Sequence, residues 1–532
     1  MGSTTMFQLG QLSQEECWSL FSRVAFSGRT SKECQSLEDI GMKVANKCQG
    51  LPLAAKVLGG LLRFKRSREQ WQSVLDSEIW ELEEAGKESS FNERGRHLML
   101  KLKDKALSLD SICNVKALRT LLVESQSINN SVANAVLPQL LDQPKCLRAV
   151  DLSMPRFGCL IEELPKEIGK LTHLRYLNLS NHGDLQILPE VMCDLCNLQT
   201  LDITGCRKLE KLPHGIGKLI NLRHLLNKGT QRLKFMPKGV EKLASLRTLM
   251  KFIVSADAIG NEISTLSDLK NLNQIRGCLE IRGLRNLTDV SEVEQAQLQN
   301  KKNLLVLELS FDSDWENFSG KKGEQRVKID GKTLLEALQP PPFLEKLEIR
   351  HYRGPTVFPS WMISLTKLKS LDLSHCKNWK SLPPLGKLPS LESLRIRNME
   401  RVKKVGDEFL GLEGDQGQAS SSFITAFPNL EHLRFEGLRS WKKWHYGIPS
   451  TSSREESVKI MPILSSLEIW GCIKLQSLPD HILQMTTLNK LYIHRSPILS
   501  ERCRKDTGEY WPSIAHTPNI VINGEYIKRE GQ

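Results

Sequence analysis

The strongest constraint on this chain is a short apolar pattern, L-x-x-L-x-L, that returns along most of its length. It reads Leu147-Arg-Ala-Val150-Asp-Leu152, then Leu174-Arg-Tyr-Leu177-Asn-Leu179, then Leu198-Gln-Thr-Leu201-Asp-Ile203. It recurs at Leu222, Leu246, Leu304, Leu344, Leu368, Leu391, Leu430, Leu464 and Leu488. The starts at 174, 198, 222 and 246 lie 24 residues apart, as do 344 and 368, and 464 and 488. Within each unit the apolar positions alternate, so a short strand would point them all to one side. One unit cannot bury that side alone, whereas stacked neighbours can.

A period of about 20–29 residues on this pattern predicts an α/β leucine-rich-repeat solenoid, a horseshoe. Twelve repeats are clear, with a weaker one near Leu118–Val123 and another expected at Leu279–Ile281. After each strand comes a second apolar stretch containing Pro, such as Leu188-Pro189-Glu190-Val191. Pro resists regular helix, so 3₁₀ turns are expected on the outer side. The wider gaps 304–344, 391–430 and 430–464 are read as loop insertions, with 411–422 and 448–457 of loop composition. An unfinished stack would expose apolar strand edges near Leu118–Leu152.

The first 90 residues read differently. Ser13-Gln-Glu-Glu16 is a capping box ahead of a helical stripe at Leu20, Phe21, Val24 and Ala25. Further helices are expected over about Leu37–Lys47, from Pro52 to about Leu62, and around Trp71–Leu75. The domain reading is a helical unit at 1–90, a linker at 91–115, the solenoid at 116–520 and a tail at 521–532.

Composition then excludes classes. With 532 residues, 40% of them apolar and 25% charged, the chain is neither disordered nor collagen-like. No apolar run approaches the ~20 residues of a bilayer span. The N-terminus lacks a basic n-region and an apolar h-region, and Met6 breaks the myristoylation pattern. The 13 scattered Cys then fit reduced thiols in the cytoplasm, the expected compartment. That compartment also argues against glycosylation at Asn129, Asn178, Asn286 and Asn317. The net charge is +13 overall and −1 over residues 1–90 (11 basic, 12 acidic), so the rest carries +14. Nucleic acid is not the expected partner, because acidic residues are interspersed and the sequence shows no continuous Lys/Arg stripe.

The segment Leu12-Ser13 to Cys17-Trp18-Ser19-Leu20-Phe21, followed by Gly50-Leu51-Pro52-Leu53-Ala54 and Val57-Leu58-Gly59-Gly60-Leu61-Leu62, resembles the late part of a plant NB-ARC nucleotide-binding module. The repeats around Leu164–Ser180 and the ending Pro497–Cys503, Trp511-Pro512 and His516–Ile520 resemble the same receptors' leucine-rich half. The chain is thus similar to coiled-coil-class plant NB-LRR disease-resistance proteins, with a helical NB-ARC remnant before the solenoid. The resemblance implies defence recognition of a pathogen effector or guarded host protein, or regulation of an intact paralogous receptor. It also implies ADP as the intact family's cofactor, with Pro52 at the adenine. The family's phosphate-binding loop precedes the Cys17-Trp18 segment, and its winged-helix part with a Met-His-Asp motif would fall between Ser89 and Glu93; neither is found in this sequence. No cofactor is therefore expected, and Pro52 reads as a first helical residue. The alternative is a fragment of an ADP/ATP-switched receptor whose P-loop lies in missing upstream sequence.

Other chemistry is sparse. Gly331-Lys332-Thr333 has no strand before it, and its P-loop glycine would fall at Arg326, so it reads as the start of an outer helix. Cys193-Asp-Leu-Cys196 is a lone C-x-x-C without a second pair. No nucleophile, base or metal motif recurs, so no enzymatic activity is expected. The candidate surface is the concave one. Early strands offer Arg175, Tyr176, Asn178, Gln199, Thr200 and Asp202; late ones offer Arg350, Arg395, Arg397, Arg434, Glu436, Trp470, Tyr492 and His494. Trp, Tyr and Arg dominate protein-interface hot spots. Trp441-Lys442-Lys443-Trp444 is a second patch, with burial of both Trp the expected state.

Overall fold

In the computed structural model, helix α1 (Gln14–Ala25) opens on the expected capping box. Ser13 Oγ accepts the Glu16 N–H, and the Glu16 carboxylate accepts the Ser13 N–H. The structure describes residues 12–26, 29, 31–48, 52–63, 65, 67–76, 96–102, 118–125, 137–142, 146–154, 161–255, 262–312, 329–411, 424–446 and 458–530. They belong to two compact units, Met1–Ser89 and Ser90–Gln532. The Ser89–Glu93 junction, residues Gly50 and Leu51, and the loop segments 412–422 and 448–457 lie outside the described residues.

The first unit continues with α2 (Ser31–Lys47), α3 (Pro52–Arg63) and α4 (Arg68–Leu75). Helix α2 begins six residues before the Leu37 read from the apolar stripe, because its first turn is polar. Cys17, Phe21, Ala25, Ile40, Val44 and Trp71 form the core. Helices α1 and α3 approach closely at Gly59, where a Cβ would lie 3.0 Å from the Phe21 carbonyl oxygen and 3.1 Å from Val24 Cβ. Arg29 donates to the carbonyls of Leu62, Arg63 and Lys65 at 3.0, 3.1 and 2.7 Å. Leu62 and Arg63 end α3 and Lys65 follows it, so one guanidinium caps the C-terminal end of the helix.

The second unit is the solenoid. A first sheet of seven parallel strands runs in chain order from His97–Leu102 to Thr248–Leu249. A second, of eleven strands, runs from Lys251–Ile253 to Glu525–Lys528, with only the last pairing antiparallel. The handover falls at Met250: strand Arg276–Arg282 bonds back to the Arg247 carbonyl (2.8 Å) and the Met250 carbonyl (2.9 Å). Leu177, Leu201, Leu225, Leu249, Leu279, Leu307, Leu347, Leu371 and Leu394 are all buried, so the strands bury one continuous row. The outer side carries the expected 3₁₀ turns, including Lys166–Lys170, Glu190–Asp194 and His214–Lys218, each following a Pro.

Most strands of the second sheet leave through a left-handed residue, as do some of the first. Examples are Asn181 (φ 68), Gly205 (φ 75), His351 (φ 59), His375 (φ 57), Asn398 (φ 54), Gly437 (φ 69) and Gly471 (φ 61). The N–H of this residue donates to a carbonyl of the next repeat, as from His375 to Arg397 (2.9 Å) and Gly437 to Trp470 (2.7 Å). The position tolerates Gly, Asn and His alike, so no single residue type marks it in the sequence.

The expected boundaries shift at both ends of the solenoid. Strand His97–Leu102 lies inside the segment read as a linker (91–115), and it pairs in parallel register with Thr120–Ser125. Strand Glu525–Lys528 lies inside the segment read as a tail (521–532), and it pairs with Asn519–Ile522. Both were missed because their pairing partners lie elsewhere in the sequence, not in their own pattern. Asn178 is buried and donates to Asp151 Oδ2, which leaves no room for a glycan.

Candidate recognition surface on the strand ladder

The pleat places alternate residues of each strand on the face opposite the leucines. In the second sheet the registered pairs align Glu280, Glu308, Glu348, Asp372, Arg395, Arg434, Glu468 and Tyr492 as one row. A second row, two residues on, holds Arg282, Ser310, Arg350, Ser374, Arg397, Glu436, Trp470 and His494. All eight late candidates therefore lie on the strand face.

They are not equivalent. Arg350 Nε donates to Glu348 at 2.7 Å, and its Nη2 lies 3.3 Å from Glu308. Arg397 reaches Asp372 (2.9 Å) and Glu348 (3.1 Å). Glu280, Glu308, Glu348 and Asp372 are almost wholly buried. Burial pushes the Asp372 carboxyl above its usual range, helped by Glu348 and opposed by Arg397. Arg350 and Arg397 thus supply the donors to the buried carboxylates Glu308, Glu348 and Asp372. These carboxylates were missing from the candidates, because nothing in the sequence shows that successive strands align them. Arg395 differs: its nearest carboxylate is Asp372 at 4.0 Å, and its side chain is 41% exposed.

Past Arg395 the face turns aromatic. Trp470 and Tyr492 stack with centroids 4.6 Å apart and planes 11° from parallel. The Arg434 guanidinium lies 4.5 Å from the Trp470 ring centroid, and His494 meets the same ring at 5.1 Å. Glu468 accepts from Arg434 (3.2 Å), Lys490 (3.0 Å) and Trp470 Nε1 (3.3 Å), while Glu436 accepts from Arg434 (2.9 Å). The rings are fixed before any partner arrives, which lowers the entropy cost of contact.

The first sheet carries something else. Backbone N–H bonds run rung to rung from Arg119 to Arg96, Arg148 to Arg119, Arg175 to Arg148 and Gln199 to Arg175, at 2.7–2.8 Å. They continue from Arg223 to Gln199, Arg247 to Arg223 and Arg276 to Arg247. Seven arginines therefore occupy eight successive rungs, stacked at the ~4.8 Å strand spacing. Arg96, Arg148, Arg175, Arg223, Arg247 and Arg276 are exposed, and none has an ion pair to a described carboxylate. The His224 imidazole beside them is held below its ordinary pKa by burial and then by Arg276, Arg247 and Arg223. This corrects the sequence reading that no continuous basic stripe exists: its members lie 23–29 residues apart and only stacking aligns them. Of the early candidates, Arg175 and Gln199 belong to this column, whereas Asn178 and Asp202 accept the N–H groups of Ser180 and Thr204 and shape turns.

The remaining motifs resolve structurally. Gly331-Lys332-Thr333 opens the helix Gly331–Ala337, and the Asp330 carboxylate accepts both the N–H and the hydroxyl of Thr333. That places a negative charge where a P-loop would place phosphate. Pro52 is the first residue of α3. Cys193 is buried, which pushes its thiol up to about 12, while Cys196 is exposed. Trp441 and Trp444 are both buried against Phe435, leaving Lys442 and Lys443 exposed.

Fold and face together define a leucine-rich-repeat protein. A family model described as R13L1/DRL21 LRRs matches residues 266–399, and one for a leucine-rich repeat matches 197–219. The chain's curated relatives over about 90% of its length are plant disease-resistance proteins, and these matches support the leucine-rich-repeat disease-resistance class. A putative disease resistance RPP13-like protein 1 of Arabidopsis thaliana is 30% identical, over 90% of this chain and 56% of its own length. A putative disease resistance protein RGA1 of Solanum bulbocastanum is 32% identical, over 89% of this chain and 52% of its own length. The chain thus spans about half the length of the curated relatives it matches. Among solved structures, a leucine-rich-repeat protein of Leptospira interrogans is 21% identical over 77% of this chain and 91% of its own, with a TM-score of 0.42. No helix among the described residues is long and apolar enough to cross a membrane.

Proposed function

We propose that this chain is a recognition module of plant defence that binds a pathogen effector or a guarded host protein through its strand face. The observation that carries the reading is the prearranged Arg434–Trp470–Tyr492–His494 group on an open face. Aromatic and arginine anchors held rigidly are the usual centre of a protein interface. The disease-resistance names of its relatives support the same role. The protein acts as a binder and not as an enzyme, in the cytoplasm, and without a nucleotide of its own. Asp330 at the one Gly-Lys-Thr supports that last point.

The test is binding of the purified full chain to a panel of effectors, compared with a Trp470→Ala/Tyr492→Ala variant. Recognition through this face requires at least one effector whose binding falls about tenfold or more in the variant. Binding that ignores both substitutions refutes it. The alternative, a fragment of an ADP/ATP-switched receptor, requires that the chain or its full-length transcript product retain nucleotide, which acid release and chromatography would detect. The arginine column favours a second contact, with an acidic protein surface. Six exposed arginines of one column, with no ion pair to a described carboxylate, leave local positive potential for an anionic partner to neutralise.

A further inference from the structure

The end of the strand face offers more than a general binding surface, and the argument rests on the recognition reading above. Arg395 and Arg434 are registered partners on adjacent strands, so two guanidiniums share one row at neighbouring rungs. Like charges placed this way repel unless an anion lies between or beside them. Arg434 is already committed through both terminal nitrogens, to Glu436 and to Glu468, and by its plane to Trp470. Its Nε is nonetheless buried with no acceptor. The Arg395 side chain makes no hydrogen bond to a described residue, and its 4.0 Å approach to Asp372 competes with Arg397, which holds Asp372 by two bonds. The row therefore has one guanidinium with donors to spare, next to another with an unused donor.

One and two rungs beyond Arg434 lie the stacked rings of Trp470 and Tyr492, with His494 at their edge. Strand spacing puts this apolar shelf two to three rungs, roughly 10–14 Å, from Arg395. A carboxylate and an aromatic ring three or four residues apart in an extended segment span the same distance, at about 3.3 Å per residue. On the other side, the carboxylates from Glu280 to Asp372 are already matched by Arg282, Arg350 and Arg397, so a cationic partner finds no free charge there.

We infer that this end of the face takes an extended protein segment in which an Asp or Glu lies three or four residues from an aromatic residue. The carboxylate bonds to Arg395 in a charge-assisted, two-pronged contact beside Arg434. The aromatic ring packs on the Tyr492–Trp470 shelf and against His494. The arginine supplies orientation and the shelf supplies buried apolar area.

The test is selection of random displayed peptides on the immobilised full chain, followed by affinity measurement with synthetic copies of the winners. The expected result is enrichment of peptides with Asp or Glu three or four residues from Trp, Tyr or Phe. Their affinity falls about tenfold or more in Arg395→Glu and in Tyr492→Ala. It is partly kept in Arg395→Lys, which retains charge but loses the fork. It is unchanged in Lys270→Glu, on the outer turn Leu266–Asn271. Arg395 is exposed and weakly tethered, so these variants fold, which an unchanged melting temperature verifies. Winners that lack either the acid or the ring, or that bind Arg395→Glu and Tyr492→Ala as well as the parent, overturn the inference. Winners lost in Arg175→Glu alone also overturn it, while leaving recognition by the strand ladder standing. Absence of any winner overturns it too, since an extended segment is then not what the shelf takes; effector binding sensitive to Trp470→Ala would still uphold the broader reading.

Discussion

At the scale of single residues, the charged groups of the strand face divide by what they would leave behind. Removing Arg397 strips Glu348 and Asp372 of a shared partner while both remain buried. Breaking such a pair from one side costs roughly 3 kcal/mol. Arg397→Ala should therefore sharply speed hydrogen exchange in strands Lys346–Arg350 and Ser370–Ser374, read by mass spectrometry. Arg395→Ala should change stability by no more than about 0.5 kcal/mol. Equal effects of the two would show that the network does not hold the face. Lys301 makes a pH prediction. Its ammonium is wholly buried, bonded to the Leu269 carbonyl (2.8 Å) and Asn273 Oδ1 (3.3 Å). Burial pulls its pKa from 10.5 down to about 8. Below about 8 both folded and unfolded forms carry the proton, and the cost of burying the charge is felt in full. Between about 8 and 10.5 the unfolded chain binds more protons, so this residue's contribution to stability rises with pH. The stability of the parent relative to Lys301→Met should climb across that window in denaturant titrations. A flat difference would mean that the ammonium is better solvated than its burial implies.

Among the elements, the arginine column is the feature that stacking creates and the chain alone hides. Arg175→Gln/Arg223→Gln/Arg247→Gln removes three aligned charges. It should elute from immobilised heparin at clearly lower salt than Lys380→Gln/Lys387→Gln/Lys442→Gln, which removes three exposed but scattered ones. Equal elution would mean that alignment adds nothing beyond net charge. The same contrast explains what could be read beforehand. Leu177 and Leu201 announce strands because alternation is a local signal, and Ser13 announces α1 because a cap lies three residues from its partner. The strand side of the late candidates also followed from local parity. What stayed hidden was everything set by the neighbouring rung: the Glu348 that occupies Arg350 and Arg397, the column through Arg148 and Arg175, and the pairing of strands His97–Leu102 and Glu525–Lys528. Repeat lengths vary from 23 to 29 residues along the column, so a fixed period does not align its members.

At the scale of the whole molecule, two compact units and a repeat array imply unfolding that is not all-or-none. Gly59→Leu forces a side chain into the α1–α3 contact and should destabilise the helical unit by about 1–3 kcal/mol. Its signature is faster exchange in α1 and α3 with the strand ladder unchanged; a loss shared by the ladder would show that the units fold as one. The antiparallel strand Glu525–Lys528 has a further consequence, for descent. A further rung in the common direction would have to pair antiparallel with this reversed strand, outside the parallel register the other repeats share, and against the charges of Glu525 and Lys528. Duplication of a repeat anywhere ahead of Asn519 inserts a rung between two existing ones and leaves the reversed strand where it was. The lineage can therefore lengthen or shorten its array from within, changing which side chains share a row while the closing piece stays untouched.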